Sequence, residues 1–386
     1  MIDKYLASLI YRSDRSLRGW LEKSERGAHF YDKRVLSLAA KLMVASDYRL
    51  FKKHNKYYDD YFRDEQEALT LFLSDAQRAD QRYCAHLRKD MMKAFLLGHL
   101  YPSEYFLYRL ENQELRERKE WLSDWDRYFY LRHYLKDKTF RQLLDKSFFY
   151  QLAKPYFHRE ICMINKERDA EAFLSFTRRH PRFIVKPIKG SLGANTFITS
   201  VGSEEEAKDF YQKQTDNGSW LVEELIVQSK ETAAWNESSV NTVRVPSFRT
   251  SDGVCILQPF FRTGRKGSVV DNAGHGGVFA VFDPETGVIT TDGVDEHGGR
   301  YECHPDSGKK FKGWQIPRWQ QLKALVKEIH NSLPQHHRYV GFDFALDKDQ
   351  QWVLIEGNWG QMVGQMAELK GIRRPFLKLI SSDTHQ

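Results

Sequence analysis

The sequence has little of what marks several protein classes. Its 386 residues include only four cysteines, with no C-x-x-C pair and wide spacing (Cys84, Cys162, Cys255 and Cys303). Such spacing favours reduced thiols in a cytosol over a disulfide framework or a zinc site. No apolar run approaches the roughly 18 residues that cross a bilayer, and charges interrupt the first sixteen residues, unlike a secretory signal. We therefore expect a soluble, cytoplasmic protein.

The charge balance indicates anionic partners. The formal net charge is +7, which suits nucleic acid, an anionic membrane surface, or a phosphorylated or carboxylated small molecule. Basic residues are interspersed with acidic ones, and no helix-turn-helix, RNP or zinc-finger pattern occurs, so we expect no nucleic acid. An acidic small molecule and a membrane surface remain open.

The pattern of apolar residues divides the chain into two regions. Residues 1–150 repeat apolar side chains at the helical period, and their dense aromatic residues are interpreted as core. After Pro181, strand-like runs alternate with glycine loops and two helical stretches, the first opening with Ser203 and Glu206 in capping-box spacing. This order predicts an α+β region preceded by a largely helical one.

The strongest chemical signal lies in the segment 339–358. Asp347-Lys348-Asp349-Gln350 is typical of a turn, and a hairpin roughly symmetric about it is expected to place Asp343 opposite Glu356, with Asn358 on the same face. Two carboxylates and an amide oxygen are ligands that suit Mg²⁺. The alternative is a surface hairpin whose acids face water. The opposite face is predicted to be an apolar layer of Phe342, Phe344, Leu346, Val353 and Ile355.

Two weaker signals precede this hairpin. A strand ending at Lys186-Pro187 leads into a small-residue loop whose glycines and lysine suit phosphate oxygens, although a glycine-rich hairpin of this kind is more often an ordinary turn. Neither a Walker loop nor G-x-G-x-x-G is present. The apolar strand 220–227 contains Glu223-Glu224 and could hold an adenine ring, or could simply be a strand with one polar face.

Taken in order, these segments resemble the ATP-grasp superfamily, with the spacing of the D-alanine–D-alanine ligase branch. Two further stretches, 103–160 and 238–283, look like the sugar-transfer-associated ATP-grasp family. The resemblance implies an ATP-grasp fold, in which two α+β subdomains clasp ATP. We expect a helical region at 1–140, a lid subdomain at 141–230 and a metal-binding subdomain at 231–386.

The resemblance also implies roles for individual residues. Lys146 and Lys186 would grip the α- and β-phosphates, and Asp343, Glu356 and Asn358 would hold Mg²⁺. The lid over the phosphates would contain Lys189, Gly190, Ser191 and Gly193. The adenine hinge would be Glu223, Glu224 and Ile226, with Glu231 as a ribose contact.

One departure from the ligase branch matters. That branch has an arginine two residues before the metal aspartate, where this chain has Gly341. The cation that stabilises the transferred phosphate must then come from elsewhere, and Arg244 and Arg262 are the candidates, each with a surface or salt-bridged role as the alternative. The loop 271–277 supplies two further candidates, Asn272 for positioning and His275 as a base.

The resemblance implies ATP-dependent ligation, in which a carboxylate is phosphorylated and the acyl phosphate is attacked by an amine. The family name adds a setting in cell-surface polysaccharide or glycan-precursor synthesis, with an acidic or sugar-linked substrate. A kinase that phosphorylates a hydroxyl and a non-catalytic nucleotide-binding module remain as alternatives. The basic aromatic helices suggest a peripheral contact with membrane-associated glycan machinery.

Overall fold

The computed structural model describes residues 34–45, 56–133, 142–143, 145–165, 170–189, 195–268, 271, 276–359 and 363–381. These residues belong to two compact units. The helical unit takes its residues from Met1–Phe129 and Leu369–Leu377, and the sheet unit from Tyr130–Glu368 and Lys378–Gln386. The predicted division at 140 and 230 stays a prediction.

The predicted helical N-terminal region is confirmed, and the α+β class is confirmed by the two antiparallel sheets that follow it. In the part of the chain described, no helix is both long and apolar enough to cross a membrane. None of the four cysteines, all of which the structure describes, forms a disulfide. The α-helices are α1 (Leu36–Ala45), α2 (Lys56–Phe72), α3 (Asp75–Ala79), α4 (Gln81–Gly98), α5 (Pro102–Leu107), α6 (Leu115–Arg118), α7 (Asp124–His133), α8 (Lys146–Ala153), α9 (Glu171–Arg179), α10 (Glu204–Asp216), α11 (Lys230–Ala233), α12 (Trp319–Ser332), α13 (Gly364–Glu368) and α14 (Arg373–Ser381).

The helical unit includes a segment from near the other end of the chain, Leu369–Leu377. Arg373 donates its backbone N–H to the Glu120 carbonyl at 2.9 Å, and its guanidinium pairs with the buried Asp126 at 2.5 Å. Asp126 also contacts His99 Nδ1 at 2.7 Å. A Cβ added at Gly371 would lie 2.2 Å from the Glu120 carbonyl oxygen, so only glycine permits this close approach.

The first sheet of the sheet unit has four antiparallel strands in the order β1-β4-β2-β3. Phe173 and Phe176 of α9 pack with Phe183 and Val222 of the sheet in one buried cluster. Ser203 caps α10 as its sequence predicts, although the Glu206 side chain accepts from the N–H of Gly202 rather than that of Ser203. The strands are β1 (Ile161–Ile164), β2 (Arg182–Pro187), β3 (Phe197–Ser200) and β4 (Trp220–Glu224).

The second sheet has eight strands in the order β10-β9-β8-β7-β5-β11-β12, with β6 paired to β5. Helix α12 packs on it, and the buried His330 joins them, because Nδ1 contacts Ser247 Oγ at 2.8 Å and Nε2 the His337 carbonyl at 2.9 Å. The strands are β5 (Thr242–Thr250), β6 (Gly253–Ile256), β7 (Phe260–Thr263), β8 (Val278–Val281), β9 (Gly293–Val294), β10 (Arg300–Tyr301), β11 (Tyr339–Leu346) and β12 (Trp352–Asn358).

The hairpin of β11 and β12 has the predicted pairing but not the predicted symmetry. Asp343 lies opposite Glu356. The connection is longer than the predicted turn, because the Asp347 N–H bonds to the Gln351 carbonyl at 2.9 Å. A register shift then leaves Ile355 as the extra residue of a β-bulge. Strict symmetry about residues 347–350 would pair Asp343 with Leu354. The five-residue connection and the extra residue of the bulge each shift the register by one and together produce the pairing with Glu356.

The bulge also changes the apolar layer. Side chains alternate along a strand, so the extra residue exchanges the two faces of β12. The prediction that Val353 and Ile355 meet the phenylalanines is therefore wrong. The pairs are Phe342 with Gly357, Phe344 with Leu354, and Leu346 with Trp352.

Candidate functional site

A cleft of about 310 Å³, counted with the space that opens to solvent, lies in the sheet unit. Strands β1, β2 and β4 of the first sheet line one side, β12 of the second sheet lines the other, and helix α8 also contributes to the lining. Four of its residues are charged: Lys146, Lys186, Glu223 and Glu356. The cleft thus brings both predicted phosphate lysines beside one predicted metal ligand. Its apolar wall consists of Phe149, Tyr150, Phe157, Ile161, Leu221 and Ile355.

Lys146 is the first residue of α8 and is placed by the helix cap. The Asp145 carboxylate accepts the N–H groups of Ser147 and Phe148 at 3.0 and 3.2 Å. The Lys146 N–H bonds to the Ile188 carbonyl at 2.9 Å, and Nζ donates to the Pro187 carbonyl at 3.3 Å. Burial lowers the pKa of Lys146, and the charge of Lys186 lowers it further, while Glu356 opposes the change.

Glu223 forms a buried ion cluster with two cations. Its Oε2 accepts Lys186 Nζ at 3.0 Å, and Arg159 Nη2 and Nε at 2.6 and 3.0 Å. Burial alone would raise the pKa of Glu223, but Lys186 and Arg159 outweigh it and lower the pKa to about 2. The Glu223 carboxylate therefore binds Lys186, and its role in the adenine hinge stays a prediction.

Asp343 is enclosed by two arginines. Arg244 Nε and Nη2 bind its two oxygens at 2.6 and 2.5 Å, and Arg262 Nη2 lies 3.1 Å from Oδ2. Burial would raise the pKa of Asp343, but these guanidinium groups lower it to about 2. Asn358 Nδ2 donates to the same carboxylate at 3.2 Å.

Glu356 is the more open carboxylate of the pair. A third of its side chain is exposed, and its nearest guanidinium contact is Arg244 Nη2 at 3.9 Å. Burial raises the pKa of Glu356 and the charge of Asp343 adds to the effect, while Arg244, Lys146 and Lys186 oppose it.

Arg262 reaches the carboxylates from β7, one strand beyond Arg244. Its Nε donates to Thr242 Oγ1 at 2.8 Å and lies 3.6 Å from Asp271 Oδ2. Asp271, the first residue of the predicted glycine loop, therefore lies beside this arginine. Both predicted arginines therefore lie at the predicted metal carboxylate.

The glycine at position 341 leaves room beside these groups. A Cβ there would lie 3.1 Å from Asn358 Oδ1 and 3.8 Å from Arg244 Cδ. Arg244 is the residue of β5 that pairs with Asp343. A guanidinium thus reaches Asp343 from the neighbouring strand, where the ligase branch has an arginine within the metal-binding strand itself.

Several predicted residues lie away from the cleft lining. The exposed Lys189 forms a β-bridge with Asp145, and Glu224 accepts the Glu160 N–H at 3.1 Å. Ile226 follows β4, and Glu231 is exposed on the short helix α11. The remaining predicted residues, Gly190, Ser191, Gly193, Asn272 and His275, lie outside the described residues.

The donor set fits a hard cation. Among the described residues no cluster of three or more His, Cys, Asp or Glu is placed to hold a metal ion. Asp343, Glu356 and Asn358 instead offer two carboxylates and one amide, and Mg²⁺ commonly takes one or two protein carboxylates and completes its shell with phosphates and water. Glu356 supplies the oxygens least engaged by arginine.

The family comparison decides the assignment. The model for the family described as sugar-transfer associated ATP-grasp matches residues 126–380, more than half of the chain. The chain belongs to this family. The match covers the cleft, both lysines and the hairpin of β11 and β12 in this ATP-grasp protein, and it confirms the predicted family and fold.

Solved structures that are similar to this ATP-grasp protein are distant from it. The D-alanine–D-alanine ligase from Coxiella burnetii is 10% identical, with 62% of this chain and 56% of that chain covered and a TM-score of 0.36. D-cycloserine synthetase DcsG is 12% identical, with coverages of 63% and 69% and a TM-score of 0.38. N5-carboxyaminoimidazole synthetase from Staphylococcus aureus is 10% identical, with coverages of 63% and 52% and a TM-score of 0.37.

The matched region therefore spans little more than half of the D-alanine–D-alanine ligase. Similarities this distant add nothing to the assignment, which rests on the family match. No curated protein sequence matches the chain.

Sequence reasoning did not identify Arg159. No motif marks it, because a single arginine before a short strand has no spacing relation to the lysines or to the carboxylates. Its role follows from the fold, which brings β4 and β12 to the same guanidinium.

Proposed function

We propose that this protein is an ATP- and Mg²⁺-dependent ligase that activates a carboxylate as an acyl phosphate for attack by an amine. The observation that carries the proposal is the meeting of Lys146 and Lys186 with Glu356 in one cleft. Cations and a metal carboxylate at one place are what a triphosphate requires.

The cleft divides by chemistry into two parts. The aromatic and aliphatic wall suits the adenine ring, and the lysines suit the phosphates. Asp343, Glu356 and Asn358 would hold Mg²⁺, which when bound neutralises phosphate charge. In this proposal the γ-phosphate lies on the Glu356 side of the cleft, because Arg244 Nη2 lies 3.9 Å from Glu356 Oε1 and Arg262 binds the adjacent Asp343.

The two arginines favour a carboxylate acceptor over an alcohol. A ligase holds two anions, the acceptor carboxylate and the acyl phosphate, beside the γ-phosphate, and forked guanidinium groups suit both. In the proposed reaction a carboxylate oxygen attacks the γ-phosphorus and ADP leaves. The amine nitrogen then attacks the acyl carbon, phosphate leaves and the amine loses a proton.

The proposal extends to the setting. The family name supports an acidic or sugar-linked substrate in cell-surface polysaccharide or glycan-precursor synthesis, with peripheral contact to membrane-associated glycan machinery. The four cysteine thiols, none of which forms a disulfide, support a cytoplasmic location. Substrate recognition and location are part of the proposal.

The test traps the acyl phosphate. The protein is incubated with Mg-ATP, hydroxylamine and a panel of carboxylic acids, and hydroxamate and ADP are measured together. We expect both products with the right acid and neither with Glu356→Gln, while Glu302→Gln, an exposed carboxylate paired with Lys310, retains activity. Transfer of γ-phosphate to a stable phosphoester would identify a kinase. ATP binding without turnover across the panel would identify a binding module.

A further inference from the structure

Arg159 joins the two sides of the cleft. Its side chain is only 4% exposed. Nη2 and Nε bind the Glu223 carboxylate on β4, while Nη1 donates to the Leu354 carbonyl and Nη2 lies 3.4 Å from the Ile355 carbonyl on β12. Nη1 also donates to the Phe157 carbonyl at 3.2 Å. One guanidinium therefore binds both sheets.

Each set of contacts leads to a residue of the proposed nucleotide site. On β4, Glu223 also binds Lys186 Nζ at 3.0 Å. On β12, Leu354 pairs with Phe344, and Ile355 is the extra residue of the bulge that places Glu356 opposite Asp343. Arg159 is thus one contact away from the phosphate lysine and one residue away from the more open metal carboxylate.

The backbone before Arg159 is unusual. His158 has a φ of 49°, in the left-handed region that few non-glycine residues adopt. Such a conformation persists where surrounding contacts hold it. Here it immediately precedes a buried arginine that uses all three of its nitrogens.

We infer that Arg159 is a positioning residue that sets the distance between Lys186 and Glu356, and so matches the phosphate cation to the metal carboxylate. This inference rests on the proposed nucleotide site. Arg159 touches neither ATP nor metal in this scheme. It acts through Glu223 on one side and through the bulge carbonyls on the other.

The geometry requires a guanidinium. Its nitrogens diverge in a plane and bind a carboxylate and carbonyl oxygens at the same time, whereas a lysine ammonium is a single point of charge. Arg159→Lys therefore keeps the positive charge beside Glu223 and loses the bridge. Arg179→Lys is the matched control. Arg179 also binds both oxygens of a carboxylate, that of Glu160, but it is about half exposed and lies outside the cleft lining.

The experiment measures ADP affinity of the full chain by calorimetry, in EDTA and with Mg²⁺, beside the melting temperature. We expect Arg179→Lys to match wild type. We expect Arg159→Lys to remain folded, to bind ADP about tenfold more weakly in EDTA, and to lose a further part of the affinity that Mg²⁺ adds, as is usual when outer-shell support is removed.

A double-mutant cycle with Glu223→Gln separates positioning from general stability. If Arg159 acts through Glu223, the two substitutions do not lower the ADP affinity in EDTA additively. The double variant then binds ADP with about the same affinity as the single variant that binds it more weakly. Independent losses that multiply would overturn the inference, as would ADP affinity within about threefold of wild type in Arg159→Lys. Binding of ADP without formation of hydroxamate would contradict only the ligase proposal.

Discussion

Arg262 makes two contacts in different directions that a single point charge could not make. Its Nε donates to Thr242 Oγ1 and its Nη2 lies 3.1 Å from Asp343 Oδ2, so a single side chain spans two strands. A lysine ammonium can satisfy one of these contacts but not both. We expect Arg262→Lys to lose nearly as much kcat/KM as Arg262→Ala, about 100-fold, because small misplacements of positioning groups have effects of that size.

ADP release and hydroxamate yield measure this loss. Arg265→Lys is the control, since Arg265 is more exposed and pairs with Asp306 away from the carboxylates. Activity near wild type in Arg262→Lys would show that charge, and not the forked geometry, is what the site needs.

The lysines and carboxylates of the candidate site could be predicted from the sequence, whereas Arg159 could not. Lys186, Asp343 and Glu356 lie in segments whose order and spacing are regular, so a pattern identifies them. Arg159 derives its role from Glu223 and from carbonyl groups of β12. Backbone carbonyls carry no sequence signature, so no reading of residue types predicts such a partner.

Among the elements, α8 and β12 meet at a point with no spare space. A Cβ added at Gly357 would lie 2.4 Å from two ring carbons of Phe149. Gly357→Ala should therefore displace the helix that carries Lys146, lowering stability by about 1–3 kcal/mol, as overpacking does, and weakening ATP binding.

Shortening the ring partner tests this contact. We expect Phe149→Leu in the Gly357→Ala background to recover part of both losses, measured by thermal unfolding with and without Mg-ATP. Gly308→Ala is a control for adding a methyl group, since its Cβ would meet nothing within 4 Å, although its φ of 69° adds backbone strain of its own. No recovery in the double variant would contradict the steric explanation.

The junction of α12 and β5 should respond to acid. Burial lowers the pKa of His330 from its ordinary 6.5 to about 3. Because the folded-state pKa is the lower one, the unfolded chain takes up a proton that the folded chain cannot. The contribution of neutral His330 to the free energy of unfolding is complete above pH 6.5. It is lost as the pH falls towards about 3, at roughly 1.4 kcal/mol per pH unit.

Native-state hydrogen exchange of the β5 and β11 amides at pH 5, 6 and 7 measures the effect. His330→Gln keeps an amide that can bond to Ser247 and removes the titrating ring. We expect a smaller loss of opening free energy per pH unit in the variant. An identical slope would show that other groups cause the acid sensitivity.

At this scale the hairpin shows what a pattern can and cannot predict. Alternating residues and turn chemistry predicted β11, β12 and the pairing of Asp343 with Glu356. They did not predict the bulge at Ile355, since a bulge depends on backbone hydrogen bonds and no glycine marks it here. The apolar partners of Phe344 and Leu346 were wrong for that reason.

For the molecule as a whole, the helical unit depends on residues distant in sequence. Asp126 is buried and pairs with Arg373, whereas the adjacent Arg374 pairs with Glu120 and is 82% exposed. We expect Arg373→Met to destabilise this unit by about 3–5 kcal/mol, because it leaves a buried carboxylate short of its cation. Arg374→Met should cost no more than about 1 kcal/mol.

Limited proteolysis within residues 56–129, beside thermal unfolding, measures the difference between these neighbouring arginines. Equal resistance to proteolysis in the two variants would contradict a structural role for the buried pair. The family match begins only at residue 126, so sequence similarity alone gave no reason to connect residues 34–125 with Arg373.

The return of Leu369–Leu377 to the helical unit has a consequence for synthesis on the ribosome. Residues up to Phe129 emerge first, yet Asp126 cannot meet Arg373 until some 240 residues more have been translated. At about 5–20 residues per second this delay is on the order of tens of seconds. The unit that contains residues up to Phe129 is thus completed late, and its buried Asp126 lacks the Arg373 guanidinium throughout that delay.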